Sequence, residues 1–303
     1  MERLRVALFG SGSPMSVAAF RLLRQTTQLT RVVVPRPRPE RGFLRRIVGR
    51  ERTNPLLNAA AEACVATSFE DGASRDIQRD AVDLICVATF PRLLPPEILD
   101  HARVGGLNLH GSLLPRHRGP DPLFWTYFDA DRECGITLHW MNSAADGGDI
   151  AAQRRWELVP GTRATAVYKR QVDEGMNLLA DELQYVARGN RRGTPQDVSL
   201  ATHEPSPSRR TWSIDFNTWS IDRVWHFLNG LTPVRNDLLT LNGKRLQIFP
   251  NLQLTRRTHD RRPGTLVVRN RSFELFCDGG VIEGHVVPPL LTLRRAVVRF
   301  LAG

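Results

Sequence analysis

Apolar residues along the chain fall into short unbroken runs, separated by longer stretches in which they recur at helical spacing. That pattern predicts strands buried on both faces alternating with amphipathic helices. Leu4 to Phe9 is the first run; Gly10-Ser11-Gly12-Ser13-Pro14 and an apolar-periodic stretch from Val17 to Leu23 follow it, so strand, tight loop and helix open the chain. Arg31 to Val34, Asp83 to Ala88, Gly106 to His110 and Ile136 to Met141 predict further strands. Helices are predicted over Asn54 to Ala66, from Pro95-Pro96 to about His101, and over Val167 to Val186. The expected fold is α/β, a doubly wound, mostly parallel Rossmann-like sheet that binds ligands at the carboxyl ends of its strands.

The pattern changes after Val186. Gly189-Asn190-Arg191-Arg192-Gly193-Thr194-Pro195 and the Arg- and Pro-rich sequence through Arg210 read as a linker. A short helix over Asp222 to Leu228 then precedes brief strand-like runs at Leu238-Leu241, Leu246-Phe249, Gly264-Val268, Phe273-Phe276 and Val281-Val287, the spacing of a small β-barrel or sandwich. The expected organisation is a catalytic domain over 1–188, a linker over 189–211 and a small β-rich domain over 212–303.

Composition narrows the function classes. In 303 residues no run of eighteen apolar positions occurs and the N-terminus lacks a signal-type apolar segment, so a cytoplasmic protein without a membrane partner is expected. Cys64, Cys86, Cys134 and Cys277 are far apart with no CxxC pair, which suggests reduced thiols and neither a zinc site nor a disulfide framework. The first glycine loop has Met15 where the dinucleotide fingerprint needs a third glycine, which argues against a nicotinamide cofactor, although the backbone at Gly12 and Ser13 could still hold an anion. The net charge of +11 points to a phosphate-bearing or nucleic-acid partner. It is carried almost wholly by arginine, Lys169 and Lys244 being the only lysines, a bias that genome composition alone can produce. A basic, proline-broken stretch from Pro35 to about Pro55, with Arg45, Arg46, Arg50 and Arg52, reads as a surface loop, either solvated or acceptor-binding.

The segment from Gly106 to Pro120, Gly-Leu-Asn-Leu-His-Gly-Ser-Leu-Leu-Pro-Arg-His-Arg-Gly-Pro, carries the candidate chemistry. Asn108 and His110 alternate along a strand and so share a face, an amide and an imidazole able to serve one reacting carbonyl. Downstream, Asp146-Gly147-Gly148-Asp149 places two acids around a tight turn, and spacing alone leaves open which of them points inward. When a nucleophile attacks a carbonyl carbon, charge grows on oxygen and protons must move, which an Asn amide, an imidazole and a carboxylate can accommodate without a metal.

These segments together resemble the formyltransferase family, which includes methionyl-tRNA formyltransferase, glycinamide ribonucleotide transformylase and the nucleotide-sugar N-formyltransferases. The family's N-x-H-x-S-L-L-P-x-x-R-G run matches Asn108 to Gly119, its D-x-G motif matches Asp146-Gly147-Gly148, and the similarity extends from Leu4 to about Val186. The resemblance implies an N-formyltransferase using 10-formyltetrahydrofolate, with Asn108, His110 and Asp146 catalytic. It implies folate contacts at Phe90, Arg92, Leu93, Leu94 and Asp149, and acceptor contacts at Gly12, Ser13, Ser112 and Arg118. The C-terminal part is similar to the family's small OB-like domain. For the acceptor, a small amine that can carry phosphate, an amino sugar on a nucleotide or a specialised metabolite, is favoured over tRNA. Leu231-Thr232-Pro233-Val234-Arg235 replaces the Trp-Pro-Gly-Ala-Trp-like turn expected of tRNA enzymes, and the basic stretch lacks lysine. A decayed scaffold that only binds nucleic acid and a formate-releasing hydrolase are the remaining alternatives.

Overall fold

The computed structural model describes residues 3–37, 54–208, 211–242 and 244–288. Most of the basic stretch, including Arg45, Arg46, Arg50 and Arg52, lies outside them. Two compact units are present. One comprises Met1–Pro122, Gly135–Arg155 and Arg170–Glu204, the other Leu123–Cys134, Trp156–Lys169 and Pro205–Gly303.

The first unit is organised on a seven-stranded sheet in the order β3-β2-β1-β4-β5-β6-β7. Its strands are β1 (Arg5–Gly10), β2 (Gln28–Val34), β3 (Ala66–Phe69), β4 (Leu84–Ala88), β5 (Gly105–His110), β6 (Glu133–Trp140) and β7 (Ile150–Glu157). β1 pairs in parallel with both β2 and β4, β4 with β5, and β6 runs antiparallel to β5. Val6, Ala7, Leu8 and Phe9 are fully buried, as expected of a strand covered on both faces. Strand order reverses between β1 and β4, the point at which sheets of this kind bind ligands outside the carboxyl ends of their strands. Helix α1 (Pro14–Thr26) starts there with Pro14 in its first turn and the Ser13 hydroxyl accepting from the Ser16 amide. Helices α2 (Pro55–Glu62), α3 (Ala73–Asp80), α4 (Pro96–Asp100), α5 (Pro122–Phe128) and α6 (Ala164–Ala187) follow in the chain, residues 123–128 of α5 and 164–169 of α6 belonging to the second unit.

The helix expected over Asn54 to Ala66 stops at Glu62, and Ala66 begins β3. β3 is an edge strand without a fully buried residue, so it carries no apolar run to reveal it. β7 escaped for a similar reason: only Trp156 within it is buried.

In the second unit α7 (Ile221–Leu231) precedes β8 (Leu239–Leu241) and β9 (Lys244–Leu246), which form a two-stranded ribbon. β10 (Gln253–Thr255), β11 (Leu266–Arg269), β12 (Ser272–Cys277) and β13 (Gly280–His285) make an antiparallel sheet in the order β10-β13-β12-β11. The strand expected over Leu246-Phe249 lies earlier, over Lys244–Leu246, where it pairs with β8. Phe124 and Phe128 of α5 join Trp212, Trp219 and Phe227 in an aromatic cluster; Phe124 meets Phe227 edge-on at 5.6 Å and Phe128 meets Trp219 at 5.0 Å. Among the described residues no helix is long and apolar enough to cross a membrane.

Candidate active site

β5 ends at the carboxyl edge of the sheet with Leu107 and Leu109 buried on one face and Asn108 and His110 on the other. Register with β6 sets His139 opposite Asn108 and Thr137 opposite His110. His139 is therefore a third polar member of this face, and Asn108 Nδ2 lies 3.0 Å from His139 Nε2. His139 Nδ1 is 2.9 Å from the Trp140 carbonyl, which can only accept, so that nitrogen carries the proton and Nε2 accepts from Asn108 when the ring is neutral. The second Asn108 N–H points at Asp146 Oδ1, 3.3 Å away.

Asp146 arrives from the loop after β6, in the left-handed backbone region at φ +50°. A side chain on the following Gly148 would come within 1.8 Å of the Trp140 carbonyl oxygen, so only glycine allows the loop to fold this tightly onto the strand. Asp146 Oδ2 accepts from the Gly119 N–H at 2.9 Å, while Oδ1 is 3.5 Å from both His110 Nδ1 and His139 Nε2. Burial opposes the carboxylate. Interactions with His139 and His110 and the Gly119 amide outweigh that penalty and hold Asp146 well below the usual carboxylate range.

His110 is also buried, and burial pushes its pKa below the ordinary imidazole value despite the opposing pull of Asp146 and of the His117 carbonyl. Its Nε2 donates to the His117 carbonyl at 2.8 Å, which leaves Nδ1 as the basic lone pair on the Asp146 side. A proton taken up at Nδ1 would be stabilised by the adjacent carboxylate.

The loop after β5 is held in place by residues that composition marked as a linker. Arg118 N–H donates to the Thr202 carbonyl at 3.0 Å, His117 N–H to the Thr202 hydroxyl at 2.8 Å, and the Arg118 guanidinium to Gln196 Oε1 at 2.7 and 3.2 Å. Gln171 of α6 donates to the carbonyls of Gly111 and Gly135. Ser112 is buried and donates to the Arg116 carbonyl at 2.7 Å, closing the turn of its own loop.

The other expected site residues are dispersed. Asp149 has an exposed side chain beside Gly193, and its carbonyl accepts from Trp140. Phe90 meets Phe9 edge-on at 5.4 Å and, with Leu94, packs against the core, whereas Leu93 is 76% exposed and Arg92 pairs with Glu70 at 2.8 Å. At the strand-order reversal, Ser11, Ser13 and Ser16 gather around the Thr89 hydroxyl. Gly12 (φ +89°) lies so close to the Asn54 side chain that a Cβ would overlap it at 2.2 Å. Sequence reading missed His139 and Gln196. A His two positions after Thr137 carries no local signal; only pairing with β5 brings it to Asn108, and only the path of 189–204 brings Gln196 to the loop.

Residues 4–183 match the family model described as formyl transferase. A methionyl-tRNA formyltransferase of Chlorobium chlorochromatii (strain CaD3) is 32% identical over 203 residues, 66% of this chain and 64%, under two thirds, of that protein. One from Desulfotalea psychrophila (strain LSv54 / DSM 12343) is 28% identical over 309 residues, covering 100% of this chain and 93% of the relative. Among solved structures, the N-formyltransferase from Helicobacter canadensis, in complex with folinic acid and dTDP-3-aminofucose, superposes with a TM-score of 0.69 at 15% identity, covering 94% of this chain and 100% of that one, a likeness of fold.

Proposed function

The chain belongs to the formyl transferase family, and on that premise we propose that it moves the formyl group of 10-formyltetrahydrofolate onto the amine of a small, phosphate-bearing acceptor, an amino sugar carried on a nucleotide. The chemistry follows from the site. The acceptor amine attacks the formyl carbon, and the proton it sheds goes to His110 Nδ1, with Asp146 stabilising the imidazolium. Asn108 turns an N–H toward the oxygen on which charge grows, giving up its longer bond, 3.3 Å to Asp146, and keeping the one to His139. His110 then returns the proton to the departing folate nitrogen as the carbon–nitrogen bond breaks.

One observation carries the acceptor class. The backbone N–H groups of Gly12 and Ser13, at the start of α1 and at the point where strand order reverses, donate to no partner among the described residues. Together with the hydroxyls of Ser11, Ser13 and Thr89, which bond to one another there, they support an anion rather than an apolar group at this place. Initiator methionyl-tRNA is the second reading, supported by the alignment of the whole chain with the Desulfotalea relative. Incubation of the purified protein with 10-formyltetrahydrofolate and parallel panels of nucleotide-linked amino sugars and methionyl-tRNA tests both readings. Formyl transfer to an amino sugar is the expected outcome; transfer to tRNA alone replaces the first reading with the second.

A further inference from the structure

Gln196 is the sole half-buried residue between 187 and 200; every other position in that span is exposed. Its side chain is also fully committed. Nε2 donates to the carbonyl oxygens of Asp146 at 2.8 Å and Gly148 at 2.7 Å, the two ends of the Asp146-Gly147-Gly148 turn. Oε1 accepts from Nε and Nη2 of Arg118, itself 6% exposed. One amide thus ties the loop carrying Asp146 to the loop whose Gly119 N–H binds the Asp146 carboxylate. Asp146 needs such a tie, because a left-handed backbone at a residue with a Cβ is unfavourable unless its surroundings enforce it.

We propose that Gln196 is a positioning residue that holds Asp146 against His110 and His139, so the catalytic group is completed by a residue outside the two motifs. This rests on the reading of Asp146 as part of the catalytic group. The groups facing the Asp146 carboxylate are His110 Nδ1, His139 Nε2, the Asn108 amide and the Gly119 N–H, with the Arg118 guanidinium on the far side of Gln196. If the clamp is removed, the turn is free to relax and the carboxylate to leave His110. The imidazole then loses the charge that favours its protonated form.

The test is a pH titration of the His110 ring by nitrogen-15 NMR in the full chain, with the signal assigned by its loss in His110→Ala. Wild type is compared with Gln196→Met, which keeps the length and apolar stem but neither hydrogen-bonding end, and with Asp146→Asn. Asp146→Asn should lower the His110 pKa by about one unit, and Gln196→Met should reproduce at least half of that shift at an unchanged melting temperature. Gln196→Leu provides a second variant should Gln196→Met fold poorly: it is likewise uncharged and lacks both hydrogen-bonding ends, and should give a shift of the same sign. In formyl-transfer assays with the amine chosen by the acceptor panels, the loss should fall on kcat, about tenfold or more, with KM for 10-formyltetrahydrofolate within about threefold. A His110 titration that moves in Asp146→Asn but stays at the wild-type value in both folded Gln196 variants overturns the proposal alone. A titration that fails to move in Asp146→Asn overturns the underlying pairing of Asp146 with His110 and this proposal with it.

Discussion

At the residue scale, the proposed role of each member of the site rests on the partner it meets. Burial lowers the His110 pKa and its proton sits on the His117 side, which supports the base role proposed for Nδ1. Activity should therefore be present where the ring is neutral and fall as pH drops through its lowered pKa. We expect the acidic limb of kcat/KM to lie below the ordinary imidazole value of 6.5, as read from a pH–rate profile. Asn108→Ala and His110→Ala should each reduce kcat by about a hundredfold or more with circular dichroism unchanged, since each removes a group acting on the transition state. Asp146→Asn should be far more damaging than Asp149→Asn, because Asp146 Oδ1 lies 3.5 Å from His110 Nδ1 whereas the Asp149 side chain is exposed. Near-equal rates for the two variants at saturating folate would reverse that assignment. Asn108 and His110 were legible in the sequence because strand alternation alone puts them on one face. Nothing local distinguished Asp146 from Asp149: the choice depends on a tight turn against Trp140 and on an amide from Gly119.

At the scale of elements, the buried strands were legible and the edge strands were not. β1 and β4 announce themselves because both faces are covered and the apolar runs are unbroken, and β5 by its alternation of leucine with Asn108 and His110. β3 and β7 pair on one side only and keep polar or exposed residues, so their sequences read as helix or loop. The junctions between elements carry the tightest constraints. Gly148→Ala should force the loop off β6, because its methyl group would meet a backbone carbonyl rather than a flexible side chain. The expected cost is about 1–3 kcal/mol of stability, measured by denaturant unfolding, together with a fall in kcat as Asp146 is displaced. An unfolding midpoint equal to wild type would mean that the turn tolerates the methyl group by a route the static packing does not provide.

At the scale of the whole molecule, division into units could not be read in chain order. Residues 123–134 and 156–169 pack with the C-terminal part, whereas 189–204, expected as linker, belong with the sheet. Composition identifies exposed, Arg-rich sequence but cannot tell that a single glutamine within it is anchored. Charge raises the same difficulty for the acceptor. An excess of +11 is compatible with a polyanionic partner, yet a surface made basic by arginine throughout is not evidence that any one face follows a phosphate backbone. The decisive segment is the stretch with Arg45, Arg46, Arg50 and Arg52, which lies outside the described residues. If tRNA is the acceptor, those guanidinium groups contact phosphates, and neutralising them weakens binding and flattens its salt dependence by about 0.7 to 0.9 log units per lost contact. If the acceptor is an amino sugar on a nucleotide, the anion to be neutralised is small and the Gly12–Ser13 backbone suffices for it. The arginine changes should then leave the acceptor KM within about threefold. We expect the second result, because Pro35, Pro37 and Pro39 break the stretch and it holds no lysine. Fluorescence anisotropy of labelled initiator tRNA across a salt series should accordingly show weak binding with a shallow slope, the same in wild type and in the arginine variants. Sub-micromolar binding with a multi-charge slope that disappears in those variants would assign the acceptor to tRNA instead.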